Sequence, residues 1–270
     1  MTDIDTGTDD LLARVEDGVA VVTMNRPDRR NALSRAMLDA LARTLADVEV
    51  DDDVGCVVLT GAGGAFCAGG DVKDMASGED DGVAFDALVH RQRLSHHATA
   101  GRLHRMPKPT IAALPGAAAG AGLSLALACD LRYAARRAVM TTAFARVGFA
   151  GDYGGTWFLT RLVGPAKARE LYFFADRIDA DHALGLGLVN AVFDDDALEA
   201  EVLTLARRLA AGPRVAYRYM KENLNRALEA DLEESLDLEA THHLHTGLTA
   251  DHREAARAFV EKREPQFQGR

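Results

Sequence analysis

Cysteine is scarce in this chain. Only Cys56, Cys67 and Cys129 occur among its 270 residues, all in apolar or Gly/Ala-rich surroundings. An odd number without metal-ligand spacing reads as reduced, buried thiols and not as a disulfide framework. Positive charge is also in deficit. Thirty-one lysines and arginines face 41 aspartates and glutamates, for a net charge of −10. That balance argues against a nucleic-acid partner, and a polyanionic ligand would need a local cluster of cations. The first residues, MTDIDTGTDD, lack the apolar core of a signal peptide and the basic character of a transit peptide. They predict a frayed tail and a cytoplasmic location. No low-complexity segment exceeds a few residues.

A metal site is not expected either. His90, His96, His97 and His104 fall in a helical pattern from 83 to 105. The pairs seven apart share a face, yet no carboxylate or cysteine completes a ligand set. A solvated or packing role is the expectation for all four. The uncharged run from Ile111 to Cys129 has the length of a membrane span. Its many alanines, its glycines and its Pro115-Gly116 break make a poor lipid-facing helix, so no membrane partner is expected.

What is present is a chain that is 48% hydrophobic, enough to bury a substantial core. Leu11 to Met24 reads as a hairpin turning at Asp17-Gly18. Asn25 to Asn31 is a polar loop with three arginines. Ser34 is a candidate cap for a helix running to about Val50, with Met37, Leu38, Leu41, Leu45 and Val48 on one face. Cys56 to Thr60 is a β-branched strand. Ala65 to Lys73, AFCAGGDVK, is a small-residue turn leading toward a helix. Ile111 to Ala134 repeats that plan as strand, side-chain-poor turn and buried helix. Small residues at a helix start leave N–H groups bare, where the helix dipole favours an anion or an oxygen that becomes one. Close packing of two backbones explains the same residues equally well. Phe144 to Gly164 is a Gly-rich loop followed by a helix, and the chain beyond Leu198 is nearly all helix. Alternating strands and helices predict an α/β core over residues 1–197, with a helical segment over 198–270.

The two turn units together, AFCAGGDVK and KPTIAALPGAAAGAGLSLALACDLRYA, resemble the paired signature of the crotonase (enoyl-CoA hydratase/isomerase) superfamily. FARVGFAGDYGGTWFLTRLVG resembles that family's third block, and AFVEKREPQFQGR its C-terminal helix. The likeness runs in collinear order from about Val15 to Gly269. It implies a spiral of ββα units with a helical C-terminal segment, assembled as a homotrimer or a hexamer made of two trimers. It further implies an acyl-CoA thioester substrate and no cofactor beyond the coenzyme A moiety. The thioester carbonyl would be held by the backbone N–H groups of Gly70 and Ala121. Two such donors are typically worth about 3 kcal/mol each when charge develops on that oxygen. Ala68, Gly70, Asp71 and Val72 would lie along adenine and pantetheine, largely through backbone groups. Arg30 would meet a CoA phosphate, or stay an ordinary solvated arginine. Phe259 and Lys262 would reach CoA bound to a neighbouring subunit.

The resemblance also has gaps. Hydratases of the superfamily carry two glutamates, and Ser124 and Gly148 stand at those positions. Neither can serve as a general base near neutral pH, so the two-carboxylate addition of water loses both its groups. Ser124 reads instead as a small helix residue bonding a backbone carbonyl. Asp152 is the remaining carboxylate. Its segment resembles the family branch holding aryl-acetate-pathway isomerases, dienoyl-CoA isomerases and an aroyl-CoA dehalogenase. A single carboxylate in an apolar pocket can move a proton between carbons, the chemistry of a double-bond shift. The alternative for Asp152 is a turn residue bonding its own loop. Tyr153 and Trp157 either line an acyl pocket or pack the next helix. Three readings follow: an enoyl-CoA isomerase using Gly70, Ala121 and Asp152, a hydratase with an atypical base, and a non-catalytic acyl-CoA binder. Proteolysis is a poor further option, because no Ser-His-Asp arrangement emerges around the turns.

Overall fold

A computed structural model of the protein describes residues 1–71 and 82–270. Val72 and Lys73 of the first turn unit lie outside the described residues. The larger sheet is built from β1 (Thr2–Ile4), β2 (Leu11–Glu16), β3 (Val19–Met24), β4 (Cys56–Gly61) and β5 (Thr110–Leu114), with β7 (Leu131–Ala135) and β10 (Ala191–Phe193). β6 (Ala118–Ala119), β8 (Val139–Thr141) and β9 (Ile178–Asp179) make a second, three-stranded sheet. The β2–β3 hairpin turns through Asp17 and Gly18 at φ of 50° and 76°. Left-handed backbone at both central residues is what a two-residue turn of this hand requires. From β3 onward the large sheet is parallel, in the order β3-β4-β5-β7-β10.

One expectation fails at the start of the chain. β1 pairs antiparallel with β2, and the buried Thr6 hydroxyl donates to the Leu11 carbonyl at 2.6 Å. The first ten residues are therefore not a frayed tail. Backbone pairing holds a polar strand whose side chains bury little, so composition did not reveal it.

Ten α-helices lie among the described residues: α1 (Arg35–Val50), α2 (Phe85–Ala98), α3 (Ala100–Arg105), α4 (Ala121–Ala128), α5 (Gly155–Phe174), α6 (Ala180–Gly185), α7 (Leu198–Ala210), α8 (Arg214–Arg226), α9 (Leu232–Gly247) and α10 (Ala250–Glu261). Ser34 caps α1 by accepting the Met37 N–H at 3.1 Å. The helix expected over 83–105 is two, because Thr99 leaves helical geometry at φ −113° and ψ −88°. α5 is broken likewise at Gly164, whose ψ of 164° precedes Pro165.

Both faces of the parallel strands are covered, which explains runs such as CVVLT with no polar alternation. Val19, Val21, Val58 and Ile111 share a cluster with Leu198, Val202 and Ala206, one stripe of α7. Val22, Val57, Leu59 and Leu114 face the other way, against Met37, Leu41 and Leu45 of α1, Leu103 of α3 and Leu125 of α4. All eight residues of α4 are buried. The helices after α7 are fastened through Lys221. Its ammonium donates to the Leu103 and Lys108 carbonyls at 3.0 and 3.1 Å, and to Asp130 Oδ2 at 2.8 Å. The architecture is an α/β spiral with a helical C-terminal segment. Among the described residues no helix is long and apolar enough to cross a membrane.

Candidate active site

The two small-residue turns lie side by side. The Phe66 and Cys67 N–H groups donate to the Ala117 carbonyl at 3.0 and 3.1 Å, and the Ala119 N–H returns to the Cys67 carbonyl at 2.9 Å. On the other edge, Leu33 donates to the Gly69 carbonyl at 2.8 Å and Ala68 to the Arg30 carbonyl at 2.9 Å. The small residues make this spacing possible. A Cβ on Gly122 would stand 2.5 Å from the Cys67 carbonyl oxygen and 2.7 Å from its sulfur. One on Gly69 would stand 2.9 Å from the Ala119 carbonyl oxygen and 3.6 Å from the Ala121 nitrogen.

Ala121 is the first residue of α4, and no side chain caps that helix. The Gly120 N–H is taken by the Thr141 carbonyl at 3.1 Å, and the Ser124 N–H closes the first turn onto the Gly120 carbonyl at 3.0 Å. The Gly70 and Ala121 N–H groups make no hydrogen bond to another described residue. Two such donors, one backed by a helix dipole, can receive an oxygen that gains negative charge.

The third block closes onto this pair. Phe144 packs beside Gly120, and Gly155, at the start of α5, leaves no room for a Cβ, which would stand 2.3 Å from Ser124 Oγ. Ser124 itself is buried and donates to the Gly120 carbonyl at 3.2 Å, an internal helix bond. Gly148 is exposed, at φ 74°. Asp152 precedes α5, and its carbonyl accepts the Gly155 N–H at 3.0 Å. Next to it, Tyr153 holds a left-handed φ of 47°, a sparsely populated conformation for a large side chain. Tyr153 is nonetheless buried, with its hydroxyl 3.0 Å from Ser95 Oγ. Burial pushes this phenol up to about 12.

Asp152 does not sit in the apolar pocket expected for it. Its Oδ1 is in contact with His96 Nε2 and accepts from Gln92 Nε2 at 3.0 Å and from the Tyr153 N–H at 3.1 Å. Among the described residues Oδ2 accepts only from Gln92, at 3.2 Å. The carboxylate keeps 26% and the imidazole 32% of its side-chain surface, so a substrate can reach both. His96 was expected to be solvated or to pack. It stands 56 residues from Asp152 in sequence, and no local pattern couples the two.

A cleft of about 1390 Å³ opens beside this cluster, with His96, Tyr153, Trp157, Phe158 and His104 in its wall. Gly70 and Ala121 are not part of that wall. The rings of Trp157 and Phe158 meet His104 edge-on at 5.2 and 5.3 Å. Burial lowers the pKa of His104. Trp157 therefore both lines the cleft and packs its own helix. Among the described residues no three His, Cys, Asp or Glu side chains stand close enough to hold a metal.

The residues expected along coenzyme A are distributed unevenly. Ala68 is exposed and Gly70 half-buried in the first turn, whereas Asp71 is buried and its carboxylate takes the Arg26 guanidinium at 3.1 Å. Val72 lies outside the described residues. Arg30 is exposed, two residues before the buried Ala32, and its carbonyl receives Ala68. Phe259, 86% exposed, and Lys262 are on and just past α10. No hydrogen bond or ion pair among the described residues joins either of them to the first turn.

Comparison with known proteins places this geometry. The family model described as "Enoyl-CoA hydratase/isomerase" matches residues 14–270. A "1,2-epoxyphenylacetyl-CoA isomerase" of Escherichia coli is 40% identical over 260 residues, 96% of this chain and 98% of the relative. A "Short-chain-enoyl-CoA hydratase" of Clostridium acetobutylicum is 34% identical over 255 residues, 94% of this chain and 95% of the relative. The crystal structure of an enoyl-CoA hydratase from Polaromonas sp. JS666 superposes with a TM-score of 0.89 at 34% identity, covering 95% of this chain and 99% of that one. Collinear turns, spiral fold and near full-length relatives agree, and the chain belongs to the enoyl-CoA hydratase/isomerase family of the crotonase superfamily.

Proposed function

We propose that the protein is an enoyl-CoA double-bond isomerase in which Gly70 and Ala121 cradle the thioester oxygen and Asp152 carries the proton. The observation that carries this reading is Asp152 itself. It is a reachable carboxylate on the segment packed against α4, while Ser124 bonds inside its helix and Gly148 has no side chain. Removing a proton next to a thioester places charge on the carbonyl oxygen, where two free N–H groups act, and one carboxylate suffices to return the proton two carbons along. The E. coli relative named as an isomerase supports the same direction.

Hydration is the second reading, favoured by the Clostridium relative's name. Product analysis on 2-enoyl-CoA separates the two, since hydration yields a 3-hydroxyacyl thioester and isomerisation does not. The coenzyme A moiety would run past Ala68, Gly70, Asp71 and Val72 with Arg30 at a phosphate. Phe259 and Lys262 would complete the site of a neighbour in a trimer or a dimer of trimers. The exposed Leu236, Leu244 and Val260 on α9 and α10 support such an assembly, which light scattering measures directly. Turnover of a 3-enoyl-CoA by Asp152→Asn tests the central role: a loss of about 100-fold or more is expected, and unchanged turnover contradicts it.

A further inference from the structure

Three donors converge on one oxygen of Asp152, and one of them is an imidazole that no part of the family resemblance singles out. His96 Nε2 touches Oδ1, Gln92 Nε2 lies 3.0 Å from the same oxygen, and the Tyr153 N–H lies 3.1 Å from it. Among the described residues Oδ2 receives Gln92 alone, at 3.2 Å. Gln92 and His96 are four residues apart on α2, so one helix face presents both.

Proton accounting fixes the roles. A ring nitrogen and a carboxylate oxygen in contact need a hydrogen between them, because two lone pairs would repel; the neutral ring is therefore protonated on Nε2. Gln92 must turn its NH2 toward the carboxylate, since its carbonyl would repel both oxygens. Gln92 Nε2 is 3.0 Å from His96 Nε2 as well, and with that nitrogen already a donor, its hydrogens go to Asp152. On the far side the His96 ring leans on Tyr153, with centroids 4.5 Å apart, and Tyr153 is itself pinned by Ser95 and by its left-handed backbone.

We propose that Asp152 works as half of a carboxylate–imidazole pair, in which His96 and Gln92 are positioning residues: His96 holds Oδ1, Gln92 bridges both oxygens, and Oδ2, the less occupied of the two, exchanges the substrate proton. This inference rests on the proton-shuttle reading of Asp152. In the forward step the C–H bond next to the thioester breaks, an O–H bond forms on Oδ2, and the electron pair moves onto the thioester oxygen. In the return step that O–H bond breaks and a C–H bond forms at the far end of the allylic system, while the pair flows back from oxygen. No further reactant is consumed. Throughout, His96 keeps donating to Oδ1, so the carboxyl group cannot rotate and lose its proton to the wrong face.

The test combines kinetics with the state of the ring. His96→Ala should lower kcat on a 3-enoyl-CoA by about 10- to 100-fold, the usual cost of a misplaced reacting group, with KM within about twofold. His96→Gln, which restores an N–H donor, should recover part of that loss, and Gln92→Leu should lower kcat about threefold to tenfold. Nitrogen-15 spectra of the ring should show the Nε2–H tautomer in the wild type and a mixture of tautomers in Asp152→Asn. A His96→Ala enzyme with wild-type kcat, beside an inactive Asp152→Asn, would overturn the pair and leave the shuttle standing. An active Asp152→Asn would remove the shuttle reading itself. The ring spectrum then still decides the pairing, because an Nδ1–H tautomer in the wild type, with or without turnover, overturns it.

Discussion

Asn31 shows how a single polar residue sets the spacing of the site. It is fully buried at a φ of 57°, with Oδ1 accepting the Arg26 N–H at 2.8 Å and Nδ2 donating to the Ala62 and Ala65 carbonyls at 2.9 Å each. Its amide ties the loop carrying Arg30 to the turn that precedes Gly70. Asparagine tolerates left-handed backbone, and its amide has both a donor and an acceptor for these three partners. Asn31→Ala strands one buried and two part-buried backbone groups, and it should cost about 3 kcal/mol of stability in urea unfolding. A change below about 0.5 kcal/mol would mean that water replaces the amide without loss. In the sequence Asn31 is one polar residue in a polar loop, and nothing local separates it from its neighbours. His96 and Gln92 were hidden for the same reason, since their partner comes from a segment that only the fold brings near.

At the scale of elements, the two turns are the unit. Five backbone hydrogen bonds sew residues 30–33, 66–69 and 117–119 together, while α4 follows directly from the last of them. Gly122→Ala should drive a methyl group into the Cys67 carbonyl and sulfur, where no flexible side-chain end can yield. The turns must then separate, with a loss of about 1–3 kcal/mol and a larger proportional loss of turnover. A variant with full activity and unchanged stability would contradict the pairing of the turns. This element was legible before any coordinates, because small residues at a strand–helix junction announce close backbone approach. The Ser34 cap and the α1 stripe were legible for the same kind of local reason. The pairing of β6, β8 and β9 into a small sheet was not, since it joins short strands from segments that only the fold brings together. The break at Thr99 escaped because helical periodicity continues across it.

For the whole molecule, the buried thiols link both sheet faces to pH. Burial pushes Cys56, Cys67 and Cys129 from an ordinary value of 9.0 up to about 12. Cys56 lies in the cluster under α7, and Cys67 and Cys129 lie on the opposite face. Between these values the unfolded chain has lost thiol protons that the folded chain still holds, so stability must fall as pH rises from about 9 toward 12. The urea midpoint should accordingly be lower at pH 10.5 than at pH 7.5. A midpoint that does not move would show that the thiols ionise as easily in the fold as outside it. Below pH 9 the same protonated, buried thiols should resist iodoacetamide until denaturant is added. None of this touches the central claim, the proposal that Asp152 moves the proton while two N–H groups hold the thioester oxygen. Its most direct test is the rate at which Asp152→Asn converts a 3-enoyl-CoA to the 2-enoyl isomer, measured beside acyl-CoA binding by the same variant. The account predicts retained binding with turnover reduced about 100-fold or more; wild-type turnover with Asn at position 152 would contradict it.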